Sequence, residues 1–122
     1  MNRHESAGVV YATFESFGGA PGSDGLVHAV LTRHGGRSAP PWASLNLGHL
    51  VGDDAVAVEE NHARVYAALG VRREQVVSAR QVHGDRVALV GPEDGGRVLP
   101  ATDALISASP GVALLLRFAD CV

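Results

Sequence analysis

One segment of this chain admits a single reading. Between residues 55 and 69, Val58, His62, Val65 and Leu69 recur at helical spacing, so one face of a helix turns inward while Glu59, Glu60 and Arg64 point mainly outward. Asp53 or Asp54 can cap its first amides, Gly70 supplies a left-handed stop, and carboxylates near the start suit the helix dipole. What flanks this helix is strand-like. Residues 18–25, Gly-Gly-Ala-Pro-Gly-Ser-Asp-Gly, are turn formers that separate the short apolar segment Val9 to Phe17 from a strand over Leu26 to Thr32. A long loop with Pro40, Pro41 and Trp42 follows. After the helix, Val76 to Val82 and Arg86 to Val90 read as two strands joined in a hairpin through His83-Gly84-Asp85. Thr102 to Ile106 comes next, and Pro110-Gly111 turns the chain into the final apolar run, Val112 to Phe118. One helix among several strands predicts an α/β fold of mixed α+β layers.

With 122 residues the chain fits within one domain. Hydrophobic residues make up 46% and aromatics only 5%, so the core must be built from Val, Leu and Ala. The net charge is -3, and all ten basic residues are arginines scattered along the chain. That pattern excludes a basic nucleic-acid surface and favours discrete anion contacts. A lone cysteine cannot form an internal disulfide and suits a reducing cytoplasm. The start, Met1 to Ser6, is polar and opens no signal peptide, and Val112 to Leu116 is far shorter than the ~20 residues a bilayer span needs. The expectation is a soluble, cytoplasmic chain with no membrane or nucleic-acid partner.

Four features carry possible chemistry. His83 stands where a strand meets a turn, a common place for functional side chains, although a surface turn histidine reads the same way. Cys121 closes the final apolar run and is either a ligand or a small buried hydrophobe; Asp120 beside it points to the opposite face of a strand and is not diagnostic. Thr32-Arg33-His34-Gly35-Gly36-Arg37-Ser38 can present backbone amides and arginines to an anion, or be a tight turn with solvated arginines; it matches neither a Walker loop nor a dinucleotide fingerprint. Asp53 and Asp54 read more simply as a helix cap than as an acid/base pair. A blue-copper site wants an axial Met, and the only methionine is Met1. A multicopper centre wants clustered histidines, and the six here are dispersed. The zinc deaminase signature needs Cys-x-x-Cys, which one cysteine cannot supply. A His plus Cys zinc site lacking a third protein ligand stays open.

Several of these segments belong together. Thr32 to Ser38, Ser44-Leu45-Asn46-Leu47-Gly48, Val51-Gly52-Asp53-Asp54, Val58-Glu59-Glu60-Asn61, Gln81-Val82-His83-Gly84, Thr102-Asp103-Ala104 and Ala119-Asp120-Cys121, in that order and spacing, resemble the YfiH-like purine nucleoside phosphorylases. That family is also described as polyphenol oxidoreductase, or laccase domain. The resemblance covers about residues 26–122 and leaves 1–25 poorly matched. It implies an α/β YfiH-like fold with packed sheets and flanking helices, and a zinc enzyme that cleaves purine nucleosides with phosphate. Adenosine, inosine, guanosine and methylthioadenosine are the implied substrates, with adenosine deamination as a further hydrolase activity. The implied zinc ligands and catalytic residues are His83 and Cys121, the cysteine held as thiolate. The family's third ligand is a histidine in a later His-x-Gly-Trp-Arg-Gly motif, which this sequence does not contain. Arg33 or Arg37, with Asn46, are the candidates to orient phosphate or nucleoside. His62 stands where relatives often carry arginine.

Taken this way, the chain is the N-terminal part of such a domain, with a fold incomplete at its C-terminus, weak zinc retention and little phosphorolysis by itself. The final run, apolar at nearly every position, predicts a strand buried on both faces. Leaving ~400 Å² of it exposed forgoes roughly 10 kcal/mol, which predicts a chain that is marginally stable or associates through that edge. A non-catalytic remnant or subunit that pairs with another chain is the alternative function. A copper-dependent polyphenol oxidase is the third.

Overall fold

The computed structural model describes residues 1–18 and 25–118. It divides into two compact units, Met1–Gly70 and a second that begins at Val71.

In the first unit, β1 (Asn2–Ser6) and β2 (Val9–Thr13) form an antiparallel hairpin with Ser6 opposite Val9. The turn is Ala7-Gly8, both at positive φ, which matches the right-handed twist of the strands. β3 (Val30–Leu31) pairs with β2 antiparallel, Tyr11 opposite Leu31. The strand expected over Leu26 to Thr32 is thus only two residues long, and Leu26 and Val27 are exposed. Its N-terminal half is diverted: the backbone amide of Phe14 donates to Nε2 of His28, 2.9 Å, and the Phe14 and Phe17 rings contact the imidazole.

The helix α1 spans Ala55–Leu69, the bounds its periodicity predicts. Asp54 is the cap, its side chain accepting from the Val56 amide at 3.2 Å, and Gly70 ends the helix at φ 67°. Val58, Asn61, His62 and Val65 form its buried face. Val65 joins Val9 and Leu45 in the core, with Tyr11, Leu31, Leu47, Tyr66 and Leu69 around them. The fully buried Asn61 sits among these apolar residues only because its amide is spent on three partners, described below.

The second unit is built from parallel pairs. β4 (Val76–Ala79) lies between β6 (Val98–Leu99) and β8 (Ala113–Leu115), parallel to both. β5 (Val87–Leu89) pairs in parallel with β7 (Ala104–Ile106). The hairpin predicted through His83-Gly84-Asp85 is therefore not formed: β4 and β5 belong to different sheets. The connection is held instead from outside, by residues 102–104. The run Val112 to Phe118 contributes only three ladder residues, at a sheet edge, with Ala113 and Leu115 half-buried and Leu114 exposed. The exposed Leu114 shows that the run is not buried on both faces, and among the described residues only β4 pairs with it. No helix among the described residues is long and apolar enough to cross a membrane.

Candidate functional site

The loop between β4 and β5 is clasped at both ends by one short segment. The amide of Thr102 donates to the Arg80 carbonyl at 3.0 Å, while the amides of Asp103 and Ala104 donate to the Arg86 carbonyl at 3.0 and 3.2 Å. Inside this clasp the Val82 amide donates to Oδ1 of Asp103, 2.9 Å. Thr102 is fully buried and its hydroxyl donates to the Pro100 carbonyl, 2.8 Å, which fixes the segment from beneath. A clasp of this kind needs no cross-strand partner for residues 81–85 and leaves His83 exposed on the loop.

His83 has φ 58°, the left-handed region that non-glycine residues rarely adopt. Next to it, a Cβ on Gly84 would stand 3.2 Å from Oδ2 of Asp103. That oxygen is buried and has no hydrogen-bond partner among the described residues. Ahead of His83, Oε1 of Gln81 accepts from the Arg117 amide at 3.0 Å, and the Arg117 guanidinium donates to the Ala79 carbonyl at 3.4 Å. The Gln-Val-His-Gly loop is thereby tied to the segment that leads into Ala119-Asp120-Cys121. Cys121 itself lies outside the described residues.

The donor chemistry here fits zinc in part. An exposed imidazole is a good zinc ligand, and a buried carboxylate oxygen against the following residue, Gly84, is the kind of group that orients one. Among the described residues no three His, Cys, Asp or Glu side chains come together to hold a metal.

The other candidates lie in the first unit. Arg33 clamps the Ala43 carbonyl with Nε and Nη2 at 2.9 and 2.6 Å. Arg37 pairs with Glu60 at 2.9 Å. Asn46 closes a turn on Gly48, accepting from its amide at 3.0 Å and donating to its carbonyl at 3.2 Å, and donates to Asp53 Oδ2 at 3.0 Å. All three therefore brace the segment 33–53. At its centre Asn61 accepts from the Arg37 amide, 2.7 Å, and donates to Ser38 Oγ and the Asn46 carbonyl at 2.9 and 2.8 Å. Ser38 in turn donates to Asp53, 2.5 Å. The Ser38 hydroxyl above all, and then the Asn46 amide, hold the Asp53 carboxyl below the usual carboxylate range. Asp53 is thus the anchor of this network and Asp54 the helix cap. His62 is buried, its ring nitrogens on the Leu47 carbonyl at 2.9 Å and the Tyr66 hydroxyl at 3.0 Å.

Asn61 and Asp103 are the two residues whose roles residue-by-residue reading does not reveal. Both sit in segments that carry the family resemblance. A polar side chain at an inward helix position was the available signal for Asn61.

Over residues 27–122 the chain matches the family model described as multi-copper polyphenol oxidoreductase laccase. It is 50% identical over 93 residues to the Mycobacterium tuberculosis protein named purine nucleoside phosphorylase Rv2149c, covering 76% of this chain and 37% of that protein. It is 40% identical over 111 residues to purine nucleoside phosphorylase YlmD of Geobacillus stearothermophilus, covering 85% of this chain and 40% of that one. The crystal structure of YlmD superposes with a TM-score of 0.83 at 36% identity, over 97% of this chain and 44% of that one. The Bacillus licheniformis hypothetical protein YfiH superposes at 0.80 and 28% identity, over 98% and 45%. The chain spans less than half the length of each relative.

Proposed function

Because this chain belongs, over residues 27–122, to the family of multi-copper polyphenol oxidoreductase laccases, we propose that it supplies the first part of a zinc-dependent purine nucleoside phosphorylase. The observation that carries the reading is the tie between Gln81 and Arg117, which brings the loop bearing His83 to the segment leading into Cys121. The names of the relatives support the reaction class. His83 and Cys121 are the ligands in this reading, the cysteine as thiolate, with a third histidine supplied from outside these 122 residues. When bound, zinc supplies a Lewis acid with an open position for an oxygen ligand. The clasp at residues 102–104 holds the loop that carries His83. Arg33 or Arg37, with Asn46, are the candidates to orient phosphate or nucleoside. The substrates are adenosine, inosine, guanosine or methylthioadenosine with phosphate, and deamination of adenosine is a secondary activity of the same centre.

A chimera tests this directly. Replacing the matched portion of YlmD with residues 27–122 should give a protein that releases hypoxanthine from inosine only when phosphate is present. His83→Ala and Cys121→Ala should each abolish that release and lower the zinc content. Release that survives both substitutions refutes the assignment. Copper-dependent phenol oxidation is the second reading, favoured by the family's description; the same chimera loaded with copper would have to turn over a phenol under oxygen. Association through the β8 edge belongs to the proposal too, and sedimentation at rising concentration reads it.

A further inference from the structure

We propose that Asp103 is the positioning residue for His83, its unpartnered Oδ2 being the acceptor for the imidazole N–H that faces away from the metal. This deepens the zinc reading of His83 and rests on it. Three observations carry the inference. Asp103 uses only one oxygen in the clasp, Oδ1 on the Val82 amide. Its other oxygen is buried without a partner, a state native side chains rarely keep. And that oxygen lies against Gly84, the residue that directly follows His83.

The donors of the clasp are already spent. The amides of Thr102, Asp103 and Ala104 go to Arg80 and Arg86, and the Thr102 hydroxyl goes to Pro100. His83 directly precedes Gly84, which lies against this oxygen, and its imidazole is exposed and carries an N–H to give. A histidine that binds metal through one ring nitrogen normally donates the other N–H to a carboxylate or carbonyl, which fixes its tautomer and direction. Asp103 thereby acts twice on one residue. Oδ1 holds the backbone ahead of the left-handed His83, and Oδ2 holds the ring.

The two oxygens can be separated. Asp103→Asn keeps a carbonyl to accept from Val82 but puts a donor where Oδ2 was; Asp103→Ala removes both. The zinc dissociation constant of the YlmD chimera carrying residues 27–122 is measured by competition with a chromophoric chelator, alongside the thermal midpoint. His83→Ala should weaken zinc binding, and Asp103→Asn should weaken it about 10–100-fold with the midpoint unchanged. In metal-free protein, long-range proton–nitrogen NMR should show one His83 tautomer in the parent and a mixture in Asp103→Asn. If His83→Ala leaves zinc affinity where it was, or there is none to lower, the zinc reading falls and this proposal with it. If His83→Ala weakens binding and Asp103→Asn does not, the proposal alone is overturned. Should Asp103→Asn unfold the chain, Gly84→Ala replaces it under the same criteria, since its methyl would stand 3.2 Å from Oδ2 and crowd it.

Discussion

Replacing Asn61 by alanine should be among the most damaging single changes outside the apolar core. The side chain is fully buried and makes three hydrogen bonds, from the Arg37 amide and to Ser38 and the Asn46 carbonyl. Alanine removes all three and leaves the partners inside, where water reaches them poorly. A neutral hydrogen bond is worth about 1 kcal/mol net, and a stranded buried partner costs about 1–3 kcal/mol. Ser38 still donates to Asp53, so the heavier losses fall on the Arg37 amide and the Asn46 carbonyl. The sum is about 3–5 kcal/mol, a large share of the ~5–15 kcal/mol that holds a domain together. At a urea slope of ~2 kcal/mol per M the midpoint should fall by about 2 M. The assay is built into the chain: Trp42 is its one tryptophan, and its indole N–H donates to the Val51 carbonyl, 3.1 Å, inside the segment that Asn61 ties down. Fluorescence of Trp42 during urea unfolding reads the loss. Asn61→Asp is the finer probe. It keeps an acceptor for Arg37 but turns an oxygen toward the Asn46 carbonyl, and it should cost nearly as much. A midpoint shift worth less than 1 kcal/mol for Asn61→Ala would falsify this account of the network.

Two smaller effects follow from the same unit. Asp54→Ala removes the cap of α1 and should lower stability by about 1 kcal/mol, which the same urea titration measures; Asp54→Ser should restore most of it. The Asp53 carboxyl is held below its ordinary value, so its contribution is fully present above the unfolded value of about 3.9 and is lost as pH falls through the lower folded value. Acid unfolding followed at Trp42 should therefore steepen below about pH 4, and Asp53→Asn should flatten that limb; an unchanged acid limb in the variant counts against the Ser38–Asp53 bond.

The helix was legible because its signals are local. Fifteen residues of one periodicity, an aspartate before them and a glycine after them, suffice to fix α1 to the residue. The sheets were not legible for the opposite reason. The strands of the second unit run two to four residues, and each pairs in parallel with a segment far along the chain. Short apolar runs state no partner, and Gly84-Asp85 after His83 imitates a hairpin turn. In place of a hairpin partner, the Asp103 side chain accepts from the Val82 amide. The candidate site shows the same division. His83 is visible as a turn histidine, and the resemblance raises it to a ligand. Asp103 becomes visible only when the loop is seen to close on it. The arginines and Asn46, which read as anion contacts, gain a structural duty the sequence does not state: Arg33 and Asn46 are bound within segment 33–53, and Arg37 ties it to Glu60 of α1.

The parallel pairing of the second unit also sets an order of events in time. Residue 76 finds its partner at 113 and residue 87 at 104, with no hairpin to zip from. The first unit, by contrast, carries a two-residue turn between β1 and β2 and a capped helix, both able to start from neighbours in sequence. Loop-closure entropy must be met before a distant pairing returns anything, so sheets of this kind assemble slowly. The unit that carries His83 is thus the late one, and its loop acquires its shape only once residues 102–104 have arrived to close on it.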